Sequence, residues 1–330
     1  MMPAFSHHGA VQRAGGRQRR WMRLLLGTMV CTLVCCAWSL GGGMVVLMAL
    51  FAVSLGVGGI VKIPAGAVME LHRAVPIAPP RHPEIATTLA GLAARAGLAA
   101  PPALYRLPGD GINALAAGPP GRSAVGLSDE TLSALSAREL RAILAHEISH
   151  VAAGDTRLLA LTCLVSKLTQ GTAQFALVAA LILMASTDTF LLTPWQIAVF
   201  TVAAPVVSLL QLALSRNQEF AADLGAVRLT DDPIGLVAAL ERIEALDDHP
   251  RRLRRGWLMT EGFGGLLRSH PSPRRRIARL LDRLYGKASG QPPLARPVVA
   301  ARVPTATPLR PDGWLARTPG WRRACAGPAD

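Results

Sequence analysis

Long apolar runs without charge occupy two parts of the chain. Residues 24–61 contain no charged side chain, and three glycines at 41–43 divide them into two stretches that are each about long enough to cross a bilayer as a helix. Residues 195–214 are also free of charge, and residues 158–186 carry Lys167 as their one charged side chain. The pattern predicts about four transmembrane helices arranged as two hairpins.

Each hairpin has an alternative interpretation. The basic residues ahead of 24–61 also fit a signal peptide, but the apolar span is too long for one and no A-x-A-like cleavage site clearly follows. Residues 158–214 would also fit a hairpin of buried core helices. Trp195 at the start of the last apolar stretch is typical of an interface anchor, and Pro205 within it predicts a kink.

Outside these runs the hydrophobic pattern alternates between helical and strand periods. Pro-Gly-Asp-Gly and Gly-Pro-Pro-Gly turns separate three short β-type segments, and prolines open two of the helical ones. This part of the chain is therefore predicted to be α+β and mostly helical, with a small sheet. The helices are predicted at 83–96 and 233–247, and the strands at 103–107, 112–116 and 123–127.

A further helix is predicted to begin after Ser136. Ser136 and Glu139 have the spacing of a capping box. The apolar residues that follow recur at helical spacing and form one face: Leu140, Ile143, Leu144, Ile148 and Val151. Positions 146–150 therefore lie in the middle of a helix.

Positions 146–150 read His-Glu-Ile-Ser-His. His146 and His150 are four residues apart, so both imidazoles point to the same side of the helix and can bind one zinc ion. Glu147 is placed to take a proton from a water that the metal activates and to deliver it to a leaving amine. The alternative is a surface helix that carries two histidines by accident. The helical context favours a zinc-dependent peptidase.

Two separate segments resemble the HtpX/Ste24-type membrane zinc endopeptidases, which carry HExxHxxxxD followed by SRxxEFxAD. The first corresponds to residues 146–155 and the second to residues 215–223. The resemblance implies a gluzincin-like peptidase domain in which Glu219 is the third zinc ligand. It also implies that Asp223 holds a zinc-binding histidine through its second ring nitrogen. Asp155 ends the first motif, but it also fits a turn beside Gly154.

Further matches to this family suggest roles in substrate binding and catalysis. In the family, an Asn-Ala strand lies beside the zinc and substrate joins its edge as another strand, which points to Asn113 and Ala114 here. Asn113 also follows a glycine, a position typical of a turn. The sequence His-Pro-Ser-Pro-Arg-Arg-Arg-Ile resembles the family's HPxxxxRI segment through His270 and Arg276. His270 is thus a candidate for assisting the transition state, with capping of the next helix as its alternative.

Composition agrees with a membrane location. Apolar residues make up 51% of the 330 positions, and the net charge is +14. The basic residues are spread over the tails and the membrane flanks with few aromatics between them, so no nucleic acid partner is expected and an anionic lipid surface explains the charge better. Both hairpin turns hold almost no positive charge, which predicts that they face outward and that the catalytic part faces the cytoplasm. Five cysteines form neither a disulfide framework nor a zinc-binding CxxC pattern.

Six regions follow from these patterns. The outer ones are a basic cytoplasmic N-terminus and a disordered basic tail rich in Pro, Ala, Arg and Gly. Between them, two parts of a peptidase domain alternate with the hairpins. The regions in order are 1–23, the hairpin 24–61, the first peptidase part 62–157, the hairpin 158–214, the second peptidase part 215–286 and the tail 287–330.

The resulting prediction is a multi-pass zinc endopeptidase in the inner membrane of a bacterium, with one zinc per chain and polypeptide substrates. Resemblance to the family implies quality control of misfolded membrane proteins, with maturation of specific clients as another role. Two other classes remain open. One is a latent or non-catalytic zinc protein that binds clients in the membrane, and the other is a basic membrane adaptor whose motif is accidental.

Overall fold

The computed structural model describes residues 7–109, 111–187, 192–247 and 272–285. Helices dominate these residues, which also form one short four-stranded sheet. The helices are α1 (His7–Lys62), α2 (Ala65–Leu71), α3 (Pro83–Arg95), α4 (Asp129–Ala134), α5 (Ala137–Ala153), α6 (Asp155–Thr187), α7 (Pro194–Thr230), α8 (Pro233–Asp247) and α9 (Pro273–Tyr285). The strands are β1 (Val75–Pro76), β2 (Ala103–Leu107), β3 (Ala114–Ala117) and β4 (Ala124–Ser128).

Helix α1 is broken in its middle. Gly41 and Gly42 leave the helical conformation, and the φ of +64° at Gly42 is one that glycine adopts without a steric penalty. Met29 before the break and Val53 after it both pack in one cluster with Val165 of α6. Along an unbroken helix those two residues would lie about 36 Å apart. The two arms therefore fold back toward each other, as the glycine run predicts.

Within the described ranges, three helices are long and apolar enough to cross a membrane: Arg20–Gly59 within α1, α6 from Asp155 to Ser186, and α7. They pack against one another. Their outward faces carry large exposed apolar side chains, including Phe175, which is 67% exposed. Such faces match lipid rather than water. Pro205 lies inside α7, and the helix continues past it as far as Thr230.

The sheet has the order β1-β2-β4-β3, so β3 is an edge strand. Strand β4 pairs in parallel with β2 and antiparallel with β3. The strand predicted at 112–116 begins two residues later, because the backbone of Asn113 is bonded to side chains of Ser128 and Thr131. One face of the sheet packs on α5, and the other packs on α2.

Helix α5 lies at the centre of the main core. Its predicted capping box is present: Ser136 Oγ accepts from the Glu139 amide, and the Glu139 carboxylate accepts from the Ser136 amide. Ten of its residues are buried, including His146, Glu147 and His150. The helix ends at Gly154 in a left-handed conformation, and α6 begins at the next residue. The motif helix thus leads directly into a long apolar helix.

Candidate metal centre

Three ligand groups from two helices converge at one point. His146 and His150 come from α5, and Glu219 comes from α7, where it follows the apolar stretch without a break in the helix. Their candidate ligand atoms all lie within 4.8 Å of one another. All three side chains are buried. The structure thus brings together the three residues that the motifs single out.

The spacing of these atoms fits a tetrahedral metal. The two Nε2 atoms of His146 and His150 are 3.2 Å apart. Glu219 Oε2 lies 3.5 Å from the His146 Nε2, and Glu219 Oε1 lies 3.6 Å from the His150 Nε2. Bonds of about 2.0–2.1 Å to one zinc ion would separate tetrahedral ligands by about 3.4 Å. The residues therefore fit a metal that accepts two imidazoles and a carboxylate.

Each histidine is oriented by a buried carboxylate on its other ring nitrogen. His146 Nδ1 lies 3.1 Å from Asp223 Oδ1, and His150 Nδ1 lies 2.9 Å from Asp155 Oδ2. These contacts leave both Nε2 atoms available for a metal, which is the arrangement that metal-binding histidines usually show. Asp155 therefore contacts His150 in the same way that Asp223 contacts His146. The position of Asp155 beside Gly154 did not reveal this contact.

The same carboxylates raise the pKa values of the two imidazoles. Burial alone would lower the pKa of His150, but hydrogen bonds with Asp155 and Glu219 outweigh it and raise that pKa to about 10. The pKa of His146 is also raised: burial and Arg276 oppose the charged form, while Asp223 and Glu219 favour it. The carboxylates therefore compensate for the cost of burying these rings.

Arg276 of α9 closes the site from the side of Asp223. Its guanidinium makes a two-pronged contact with the Asp223 carboxylate, with Nε at 2.9 Å from Oδ2. It also lies 3.6 Å from Glu219 Oε2, and its side chain is buried. The motif match at Arg276 pointed to this position, but residue type and spacing alone could not assign it a partner 53 positions away.

Three other predicted site residues are Asn113, Ala114 and His270. Asn113 and Ala114 lie at the start of the edge strand that packs on α5, and the backbone of Asn113 is turned toward β4. His270, the candidate for assisting the transition state, lies outside the described residues. Gln218, which the motifs did not single out, is buried with its amide nitrogen 3.4 Å from Asp155 Oδ1.

Comparison with known proteins places this site in a family. Residues 79–284 match Peptidase family M48, and this range contains every residue of the cluster. The chain belongs to that family. Within it, the chain is HtpX-like.

Curated relatives support the closer assignment. A Protease HtpX homolog of Trichormus variabilis is 30% identical over 238 residues, covering 64% of this chain and 78% of the relative. A Protease HtpX homolog of Acidiphilium cryptum is 28% identical over 274 residues, covering 78% and 93%. One from Burkholderia cenocepacia is 31% identical over 232 residues, covering 65% and 79%. No solved structure matches the chain significantly.

Proposed function

We propose that the protein is a zinc-dependent endopeptidase that cleaves membrane proteins at the cytoplasmic face of a bacterial inner membrane. The observation that supports this most strongly is the convergence of His146, His150 and Glu219. Both imidazoles are already oriented by carboxylates, so little rearrangement is needed to hold a metal. Membership in a peptidase family supplies the reaction class.

Zinc is the metal proposed here, because two histidines and one carboxylate with an open fourth position are typical of catalytic zinc sites in peptidases. When bound, it would lower the pKa of a water and polarise the scissile carbonyl. His146, His150 and Glu219 would hold it, with Asp223 and Asp155 orienting the two imidazoles. Spacing and family both support this assignment.

Glu147 is proposed as the proton carrier. It is buried beside His146, and its carboxylate makes no hydrogen bond or ion pair with the residues that the structure describes. Its carboxylate is therefore available to take the proton of the attacking water and to deliver it to the leaving amine. Because the same carboxylate first accepts this proton and then donates it, one long proton transfer becomes two short ones.

The edge of the sheet is proposed to hold the substrate backbone. Strand β3 begins at Ala114 and packs on α5, so a chain paired with it would pass close to Glu147. Backbone pairing of this kind accepts many side chains, which suits a protease that acts on damaged membrane proteins. That quality-control role, with cleavage at the cytoplasmic face, is part of the proposal.

The decisive experiment compares the detergent-purified full chain with Glu147→Gln, after removal of metal and reconstitution with zinc. We expect about one zinc per chain in both proteins, and casein cleavage that falls about 10²–10⁴-fold in the variant. Glu70→Gln, an exposed glutamate on α2, serves as the matched control and should cleave normally.

Two results would contradict the proposal. Absence of zinc binding would remove the metal site altogether. Zinc binding without cleavage by the unmutated chain would favour the client-binding alternative, in which the site is structural.

A further inference from the structure

The outer side of β3 presents unpaired backbone groups along a short distance. The Ser128 amide donates to the Asn113 carbonyl at 2.9 Å, and the register pairs Ala114 with Leu127. In an antiparallel ladder, alternate residues face the partner strand. The N–H and C=O groups of Ala114 and Ala116 therefore point away from β4, toward the side on which the described residues contribute no further strand.

One end of this edge lies at the membrane helices. The carbonyl of Gly118, just after β3, accepts a hydrogen bond from Thr156 Oγ1 at 3.2 Å, in the first turn of α6. A Cβ on Gly118 would also come within 2.7 Å of the Cβ of Ala65, which follows Lys62 at the end of α1 closely in sequence. The C-terminal end of β3 is therefore the end nearest the bilayer.

The other end of the edge is held elsewhere. Asn113 is bonded to Ser128 at the end of β4 and to Thr131 of α4, and neither element adjoins an apolar helix in sequence. Strand β3 therefore runs toward the membrane. Helix α5 also ends at the membrane, since α6 starts immediately after Gly154.

These directions give the bound chain a polarity. Antiparallel pairs are slightly more stable per residue than parallel ones and outnumber them two- to three-fold. A chain that pairs antiparallel with β3 would run away from the membrane, with its N-terminal part beside Gly118 and its C-terminal part leaving past Asn113.

We infer that the site cuts polypeptides on the C-terminal side of a transmembrane helix, in the segment that emerges from the bilayer on the catalytic face. Segments that precede a transmembrane helix would have to bind in the opposite direction. The inference rests on the proposed function and adds the class of substrate.

The structure also limits how near the bilayer the cut can lie. Leu158 is the first large apolar residue of α6, and measured along the helices it lies about 12 Å from His150 and 18 Å from His146. An extended chain covers that distance in about four to six residues. Substrates with a shorter spacer between helix and cleavage site should therefore resist cleavage.

The test uses one cleavable sequence in three contexts, with the full chain reconstituted in vesicles. In the first substrate the sequence follows a single transmembrane helix, and in the second it precedes one, with both oriented to place it on the catalytic face. The third is the free peptide. We expect the first substrate to be cleaved at least tenfold faster than the second, and a spacer of two residues to abolish that cleavage while ten residues restore it.

The outcomes separate the two proposals. If the free peptide is not cut in a Glu147-dependent way, the proposed function fails. If the free peptide is cut but the second substrate is cleaved as fast as the first, or neither is cleaved, the inferred polarity is wrong.

A variant tests the role of the edge itself. Ala114→Pro removes an outward N–H at the first residue of an edge strand, where proline is tolerated and no bond to β4 is lost. It should raise the KM for the first substrate at unchanged zinc content. An unchanged KM would show that the substrate does not pair with β3.

Discussion

Two buried aspartates contact the histidines of the candidate metal centre, and each contact can be tested separately. Asp155→Asn removes the charge next to His150, and Asp223→Asn does the same next to His146. We expect each to weaken zinc affinity about 10–100-fold, measured by competition with a chelator. Asp129→Asn, at an exposed ion pair with Arg106, is the matched control and should bind zinc normally.

The two substitutions should differ in how much they destabilise the metal-free protein. Asp223 also neutralises Arg276, which is buried and cannot lose its charge, whereas the cation that Asp155 contacts is His150, whose ring can release its proton when the carboxylate is removed. Asp223→Asn should therefore lower the melting temperature of the metal-free protein more than Asp155→Asn does, because it leaves a buried charge without its partner. Equal melting temperatures would show that Arg276 finds another acceptor.

Zinc affinity should rise with pH. In the metal-free protein the pKa of His150 is about 10 and that of His146 is raised, so zinc must displace protons from both rings. Apparent affinity should increase up to tenfold per pH unit for each proton released, between about pH 6.5 and 9.

The stability of the metal-free protein should change with pH in the opposite direction, because the pKa of His150 is raised. The proton on His150 stabilises the fold fully below pH 6.5, and that contribution is lost as pH rises through 10.

Residue types and spacing paired His146 with His150, and the family resemblance added Glu219; the structure brings all three together. The sequence did not assign roles to Asp155 or Gln218. Asp155 contacts His150 across the turn at Gly154, only five positions away, whereas Gln218 contacts Asp155 from α7, 63 positions away. In the sequence alone, an aspartate that ends a turn beside a glycine cannot be distinguished from one that also forms a hydrogen bond with a histidine.

The two helices that carry the ligands approach each other closely at one point. A Cβ on Gly225 of α7 would lie 2.8 Å from the Cβ of Ser149 on α5. Gly225→Ala should therefore push the helices apart, lower the melting temperature through overpacking of about 1–3 kcal/mol, and weaken zinc binding. Thermal unfolding and chelator competition measure both effects.

The chain offers both a control and a rescue for this variant. A Cβ on Gly91 of α3 meets nothing within 4 Å, so Gly91→Ala should be neutral or stabilise the helix. Adding Ser149→Gly to Gly225→Ala removes the atom that clashes and should restore zinc affinity. Failure of the double variant to recover would show that the close approach is not what sets the ligand spacing.

At the scale of elements, local signals predicted most boundaries. The capping box, the helix start at Pro83 and the strand at 103–107 all agree with the structure. Strand β1 was not predicted, because two residues with an exposed proline carry no periodicity and the strand exists only through pairing with β2. Helix α4 was also missed, since its six residues form one and a half turns capped by Ser128.

For the molecule as a whole, arginine placement predicts the orientation in the membrane. Arg216 and the arginines of α9 lie on the catalytic side, while the glycine break in α1 carries no charge. A fluorescent reporter at the C-terminus of the full chain should fold in the cytoplasm, and a phosphatase inserted between α6 and α7 should be active outside. The reverse result would place the catalytic part on the outer face.

The order of the helices along the chain also determines when each residue of the candidate site is synthesised. His146 and His150 leave the ribosome before α6 and α7, but Glu219 follows α7's apolar half, and Arg276 comes later still. A nascent chain therefore holds only two of the three proposed metal ligands until the apolar part of α7 has been synthesised. We therefore expect peptidase activity to arise only after α7 has been synthesised. Until then, neither the growing polypeptide nor the machinery that inserts it into the membrane would be cleaved.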